Sequence, residues 1–91
     1  MPLYLATYDL VKEQDGHDYK PLTDALKELD GVRTQWSAWL LDLSSTKAKI
    51  YRYLAQFIDE NDRLMIIEIE SKPVWGKAFQ GTKDMIDRYF P

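Results

Sequence analysis

Ninety-one residues with 12 Lys plus Arg against 15 Asp plus Glu carry a net charge of −3, and 45% of them are hydrophobic. That is enough apolar material for one ordered domain over residues 1–91 and too much for a disordered chain, while the acidity argues against a protein built around a broad nucleic-acid-binding face. The absence of cysteine excludes disulfides, thiolate metal sites and a cysteine nucleophile.

Residues 3–10 are rich in β-formers, which predicts a strand. Alternation sends Leu3, Leu5, Thr7 and Asp9 to one face and Tyr4, Ala6, Tyr8 and Leu10 to the other. Both faces are largely apolar, so the strand belongs in the middle of its sheet. Residues 11–17 are polar, contain a Gly and read as a loop. Asp18 then caps a predicted helix whose Tyr19, Leu22, Ala25, Leu26 and Leu29 recur at helical spacing. Pro21 fits because it falls in the first turn, where its missing N–H has no helical partner. Asp30-Gly31 ends the helix, with Gly31 expected as the left-handed residue.

Two strand-like halves, 32–36 and 38–43, flank Ser37 too closely for an ordinary two-residue hairpin loop. A bent strand or bulged connection is expected there. Ser44, Ser45 and Thr46 offer caps for a second helix with Ile50, Tyr53, Leu54, Phe57 and Ile58 on its apolar face. Residues 59–62 break that helix, and 63–69 form another apolar strand region. Residues 71–81 mix turn formers with aromatics and carry no periodic signal, whereas 82–90 predict a terminal helix capped by Thr82, with Met85, Ile86 and Tyr89 along one side.

Strand, helix, strand, strand, helix, strand is the order of a ferredoxin-like α+β sandwich. The expected architecture is therefore βαββαβ: a four-stranded antiparallel sheet with two helices on one face. The core covers about 3–70, and 71–91 form a C-terminal extension with a short helix. Trp39 and Leu41 point opposite to Leu40, and Met65 and Ile67 opposite to Leu64 and Ile66. Helices cover one apolar set, the other is left bare, and a homodimer is the expected solution. The longest apolar runs, such as Leu64 to Ile67, are far below the ~20 residues of a membrane span. No basic and apolar leader follows Met1, so no membrane partner and a cytoplasmic location are expected.

Several short motifs occur together in one order: Tyr8-Asp9-Leu10, then Gln35-Trp36-Ser37-Ala38-Trp39, Leu43-Ser44, and Ile58-Asp59-Glu60-Asn61-Asp62-Arg63. In that order the chain resembles the CRISPR-associated Cas-two family of small ferredoxin-like dimers, over roughly residues 3–70. With Asp18-Tyr19 and the Asp59–Arg63 stretch it looks closer still to small stand-alone, SinR-like relatives. The resemblance implies that Asp9, closing the first strand, is the catalytic aspartate and metal ligand. Two copies of it, one per subunit, would hold a magnesium ion that activates water for phosphodiester hydrolysis. Carboxylate oxygens suit such a hard cation. The chain departs from the family where an arginine-rich stretch is common after the first strand, since Val11 to His17 carries one Lys against two acids. In related proteins the tail past the last strand adds an edge strand to the partner's sheet, a role open to Pro73-Val74-Trp75 and a route to a protein partner through the C-terminal segment.

From the residues themselves, Asp9 also reads as a strand-end carboxylate bonded to its own backbone. Lys47, Lys49 and Arg52 lie within two turns with no acid between Ser44 and Arg52, and with the helix N-terminus they can hold a phosphate of a nucleic acid; the alternative is a solvated basic face. His17 has the pKa range of an acid or base but sits in a polar loop. Glu68 and Glu70 offer an acidic patch or simply a solvated strand end. Trp36, Trp39 and Trp75 are candidates for base stacking, with Trp39 better placed for the core or a dimer interface and Trp75 for a partner. Gly76-Lys77 lacks the upstream glycine and following hydroxyl of a P-loop. The leading expectation is a small homodimeric, nucleic-acid-associated binding or scaffolding module. The alternative is a magnesium-dependent endonuclease for RNA or DNA using Asp9 from both subunits. A toxin–antitoxin-type regulator is the third reading, because small virulence-associated ribonucleases share this topology.

Overall fold

The computed structural model describes residues 2–11 and 19–91. The readings of His17 and of Asp18 as a helix cap lie outside the described residues. Strand β1 (Leu3–Asp9) is central, as its two apolar faces demand. It pairs antiparallel with β3 (Ala38–Asp42) on one side and with β4 (Arg63–Glu68) on the other. Strand β2 (Val32–Gln35) lies outside β3, giving the sheet order β2-β3-β1-β4. With helices α1 (Lys20–Glu28) and α2 (Lys47–Ala55) between the strands, this is the expected ferredoxin-like α+β fold.

One sheet face and the two helices make the main core. Tyr4, Ala6 and Tyr8 from β1 and Trp39 and Leu41 from β3 pack with Leu22, Ala25 and Leu26 of α1 and Ile50 and Leu54 of α2. Leu64 and Ile66 of β4 join from the edge. The Tyr4 hydroxyl satisfies itself by donating to the Ser45 carbonyl at 2.6 Å, just ahead of α2. Of the three offered caps, Thr46 is the one used: its Oγ1 accepts from the Lys49 N–H at 3.2 Å.

The end of α1 differs from expectation. Asp30, not Gly31, takes the left-handed conformation, with φ 57°, a conformation in which Asp is several-fold enriched. Asp30 N–H donates to Lys27 O and Gly31 N–H to Leu26 O, both at 3.0 Å, which is a Schellman motif. Gly31 is needed for space instead, because a Cβ there would stand 2.8 Å from Leu26 O and 2.9 Å from Leu41 Cδ2. The helix N-cap falls on Tyr19, which makes no side-chain cap.

The β2–β3 connection is a two-residue turn after all, Trp36-Ser37, because β2 stops at Gln35. The expected bulge is present as a register shift between Arg33 and Gln35. Tyr8 secures this corner from below. Its hydroxyl accepts from Trp39 Nε1 at 3.1 Å and from Arg33 Nη2 at 3.4 Å.

The second sheet face is not left bare, which corrects the expectation from the strand pattern. The extension crosses it and returns as α3 (Thr82–Tyr89), placing Met85 and Ile86 against Leu3 and Leu40. Thr82 is not the cap; Gly81 is, at φ 97°. The Thr82 hydroxyl instead donates to Thr34 Oγ1 at 2.9 Å, a buried link from α3 to β2. At the far end the Tyr89 hydroxyl bonds to Asp42 and to the Pro2 carbonyl. Cover is incomplete: Met65 is 59% and Ile67 41% exposed.

Burial, reinforced by the hydrogen bond to Asp42, pushes the Tyr89 hydroxyl up to about 12. A phenol whose pKa is raised from 10.0 on folding contributes stability that is complete below pH 10 and lost as pH rises toward 12. Stability to urea should therefore fall between those values, and Tyr89→Phe should remove that part of the pH profile. An unchanged profile in Tyr89→Phe would contradict the docked geometry of α3.

Candidate nucleic-acid interface

Asp9 closes β1 opposite Arg63, the first residue of β4. Arg63 Nη1 donates to Asp9 Oδ2 at 3.0 Å, with both side chains largely exposed. The strand-end carboxylate thus binds a neighbouring guanidinium rather than its own backbone. Nearby, Asp62 ties two turns together. Its Oδ1 accepts from the Val11 N–H and its Oδ2 from the Asp59 N–H, each at 2.8 Å. The Asp59–Arg63 stretch therefore splits into a structural half, Asp62, and a half that faces the site, Arg63.

Across the edge strand the basic residues of α2 are only partly gathered. Lys47, Tyr51 and Arg52 border an open hollow of about 390 Å³ against Leu64 and Met65 of β4. Helix α2 has no acidic residue in its first turn. Lys49 is outside this hollow, about 200° round the helix from Lys47. A second hollow of about 200 Å³ contains Asp9 and Arg63 and shares Leu64 and Met65 with the first. The structure therefore brings Asp9, Lys47 and Arg52 to the two sides of one edge strand and adds Arg63 and Tyr51. Arg63 was legible in principle, since an antiparallel pair that ends in Asp9 and begins at Arg63 sets the two opposite each other. Tyr51 was hidden by its alternation with the basic residues.

Of the three tryptophans, Trp39 is core, 3% exposed on the helix face, while Trp36 and Trp75 are exposed. Glu68 stands opposite Tyr4, and burial first and Glu68 second push the Tyr4 phenol up. Glu70 follows the end of β4 and is exposed, as a solvated strand end should be.

As to a metal, no group of three or more His, Cys, Asp or Glu able to hold one occurs among the described residues. One exposed carboxylate in contact with an arginine is not a magnesium shell, which takes near-octahedral oxygen ligands. The single chain therefore does not fit the ion.

A topology shared by many unrelated proteins carries little about function. Here the whole βαββαβ unit and the motif positions within it coincide with one family: the model for CRISPR associated protein Cas2 matches residues 1–75. The chain belongs to the Cas2 family. It is thus a CRISPR-associated type of protein. The match covers β1 through β4 and stops short of α3, so the helix on the second sheet face lies outside the matched residues. No helix among the described residues is long and apolar enough to cross a membrane.

Proposed function

We propose that this Cas2-family chain works as a homodimeric, nucleic-acid-associated binding module in which two copies join along the β1–β4 half of the sheet. The observation that carries this reading is the strip α3 leaves uncovered: Met65 and Ile67, exposed, beside half-buried Leu5. Leu5 faces Ile67 and Thr7 faces Met65 across the β1–β4 ladder, so these residues share one face. Strand β4 is also a sheet edge, and an edge with apolar residues calls for cover. The same edge carries the cations a phosphate backbone needs, Lys47, Arg52 and Arg63. Val74, fully exposed, and Trp75, 39% exposed, give the extension a surface for a partner protein or the twin chain. No strand forms within 71–81 in the single chain. A cytoplasmic setting belongs to the same proposal.

Lys47→Ala and Arg52→Ala should each weaken binding to short duplexes about equally for all sequences and lower the salt dependence by about one counterion. Binding that is unaffected by both substitutions would remove α2 from the interface.

The second reading, a magnesium-dependent nuclease, is favoured by the exposure of Asp9 at the strand end, with a side chain 68% accessible. It requires Asp9 from both subunits and release from Arg63. Its expected result is divalent-dependent cleavage of RNA or DNA, abolished by Asp9→Ala with the dimer intact. Cleavage surviving that substitution would place the chemistry elsewhere.

A further inference from the structure

Away from the β4 edge, the corner where the β2–β3 turn meets the approach to α3 has a different chemistry. Trp36 and Phe79 stand there as an edge-to-face pair, with ring centroids 4.9 Å apart and planes at 78°. Such a pair leaves broad ring surface that the other ring does not cover, and the two are 56% and 38% exposed. An open hollow of about 520 Å³ on one side is lined by Lys27, Arg33, Trp36, Trp39 and Phe79. One of about 220 Å³ on the other is lined by Thr34, Gln35 and Lys77 with the same two rings.

The corner is held in shape from both directions. Phe79 N–H donates to Thr34 O at 3.1 Å, and the Thr82–Thr34 hydroxyl pair lies just behind it. Lys77 is kept in the left-handed region at φ 53°, a conformation that a non-glycine residue adopts only when its surroundings impose it. Arg33 lies with its Cζ 4.9 Å from the Trp39 ring centre and 5.8 Å from that of Trp36, fixing the turn by cation–π contact.

Among the described residues the lining of the two hollows includes Lys27 and Lys77 and no acid, on a chain whose net charge is −3. The matching occupant is anionic and presents a flat apolar face. An acidic peptide lacks the flat face, an apolar helix leaves the cations unused, and a duplex keeps its base faces stacked inside. We propose that Trp36 and Phe79 form a stacking platform for an unpaired base of a single-stranded nucleic acid, with Lys27 and Lys77 taking the adjoining phosphates. The proposal rests on the nucleic-acid reading above and adds to it a second, separate site that selects single strands.

The test is anisotropy of a short fluorescein-labelled oligothymidylate and of a matched duplex with the full-length protein. Trp36→Ala and Phe79→Ala should each weaken single-strand binding roughly tenfold or more, leaving duplex affinity unchanged. Trp36→Tyr, which keeps a ring, should restore most of the affinity, and far-UV circular dichroism identifies any misfolded variant. Should the alanine variants misfold, Lys77→Gln alters only an exposed side chain and should lower single-strand affinity and its salt dependence. Single-strand binding unaltered in the folded variants, with duplex binding retained, overturns the platform and leaves the broader reading standing. A wild-type protein that binds neither strand form overturns both.

Discussion

Replacing Met85 and Ile86 together by alanine should detach α3 from the sheet and lower the unfolding free energy by about 4 kcal/mol or more. Each residue is 2% exposed and packs against Leu3 and Leu40, with Val32, Tyr89 and Phe90 around them. Truncating one buried Met or Ile to Ala costs about 2–5 kcal/mol, and adjacent sites in one cluster add incompletely. Set against the roughly 5–15 kcal/mol stability of an ordinary domain, this is a large share. Urea unfolding at one fixed chain concentration measures it, since any association of the uncovered face makes the midpoint depend on concentration. A loss below about 1 kcal/mol, the size of an average substitution, would mean that α3 contributes little to this face.

Gly31→Ala should cost about 2 kcal/mol or more, although Gly31 is a loop residue that sequence inspection assigns only a conformational role. The added methyl meets Leu26 O at 2.8 Å, Leu41 Cδ2 at 2.9 Å and Trp39 Cε3 at 3.2 Å. The first contact is backbone locked in the Schellman turn, and Leu41 is fully buried, so none can give way cheaply. Gly76→Ala is the control. Nothing lies within 4 Å of its Cβ position, and its effect should be near zero or slightly stabilising. Equal effects at the two glycines in urea titrations would contradict the close approach of α1's end to β3.

Periodicity read from single residues was enough for the elements and for which face each presents. Leu22, Ala25 and Leu26 recur at a helical period, and Tyr4, Ala6 and Tyr8 at a strand period, and both sets meet in one core. The features that periodicity does not reveal depend on long-range contact. The strand pattern exposes a second apolar face but does not tell that the chain's own 82–89 segment reaches back over it, since that contact joins Leu3 to Ile86. The exchange of Gly31 and Asp30 at the helix end had the same cause. Either residue can be left-handed, and only the crowding by Leu41 and Trp39 decides which must lack a side chain. At the candidate interface, Asp9, Lys47 and Arg52 were legible because carboxylate and cations stand out by type. Lys49 stands beside them in the sequence, although helix geometry separates it from the hollow. The platform at Trp36 and Phe79 joins residues 43 positions apart by sequence, and no local signal links them.

In the proposed dimer, the strip Leu5, Met65 and Ile67 beside α3 is covered by a second copy of the chain. Sedimentation velocity at micromolar concentration tests it most directly. The expected result is a species of twice the 10.7 kDa chain mass, converted to the single chain by Met65→Asp, which places a charge in the middle of the strip. A wild-type protein that sediments as one chain at that concentration would contradict it.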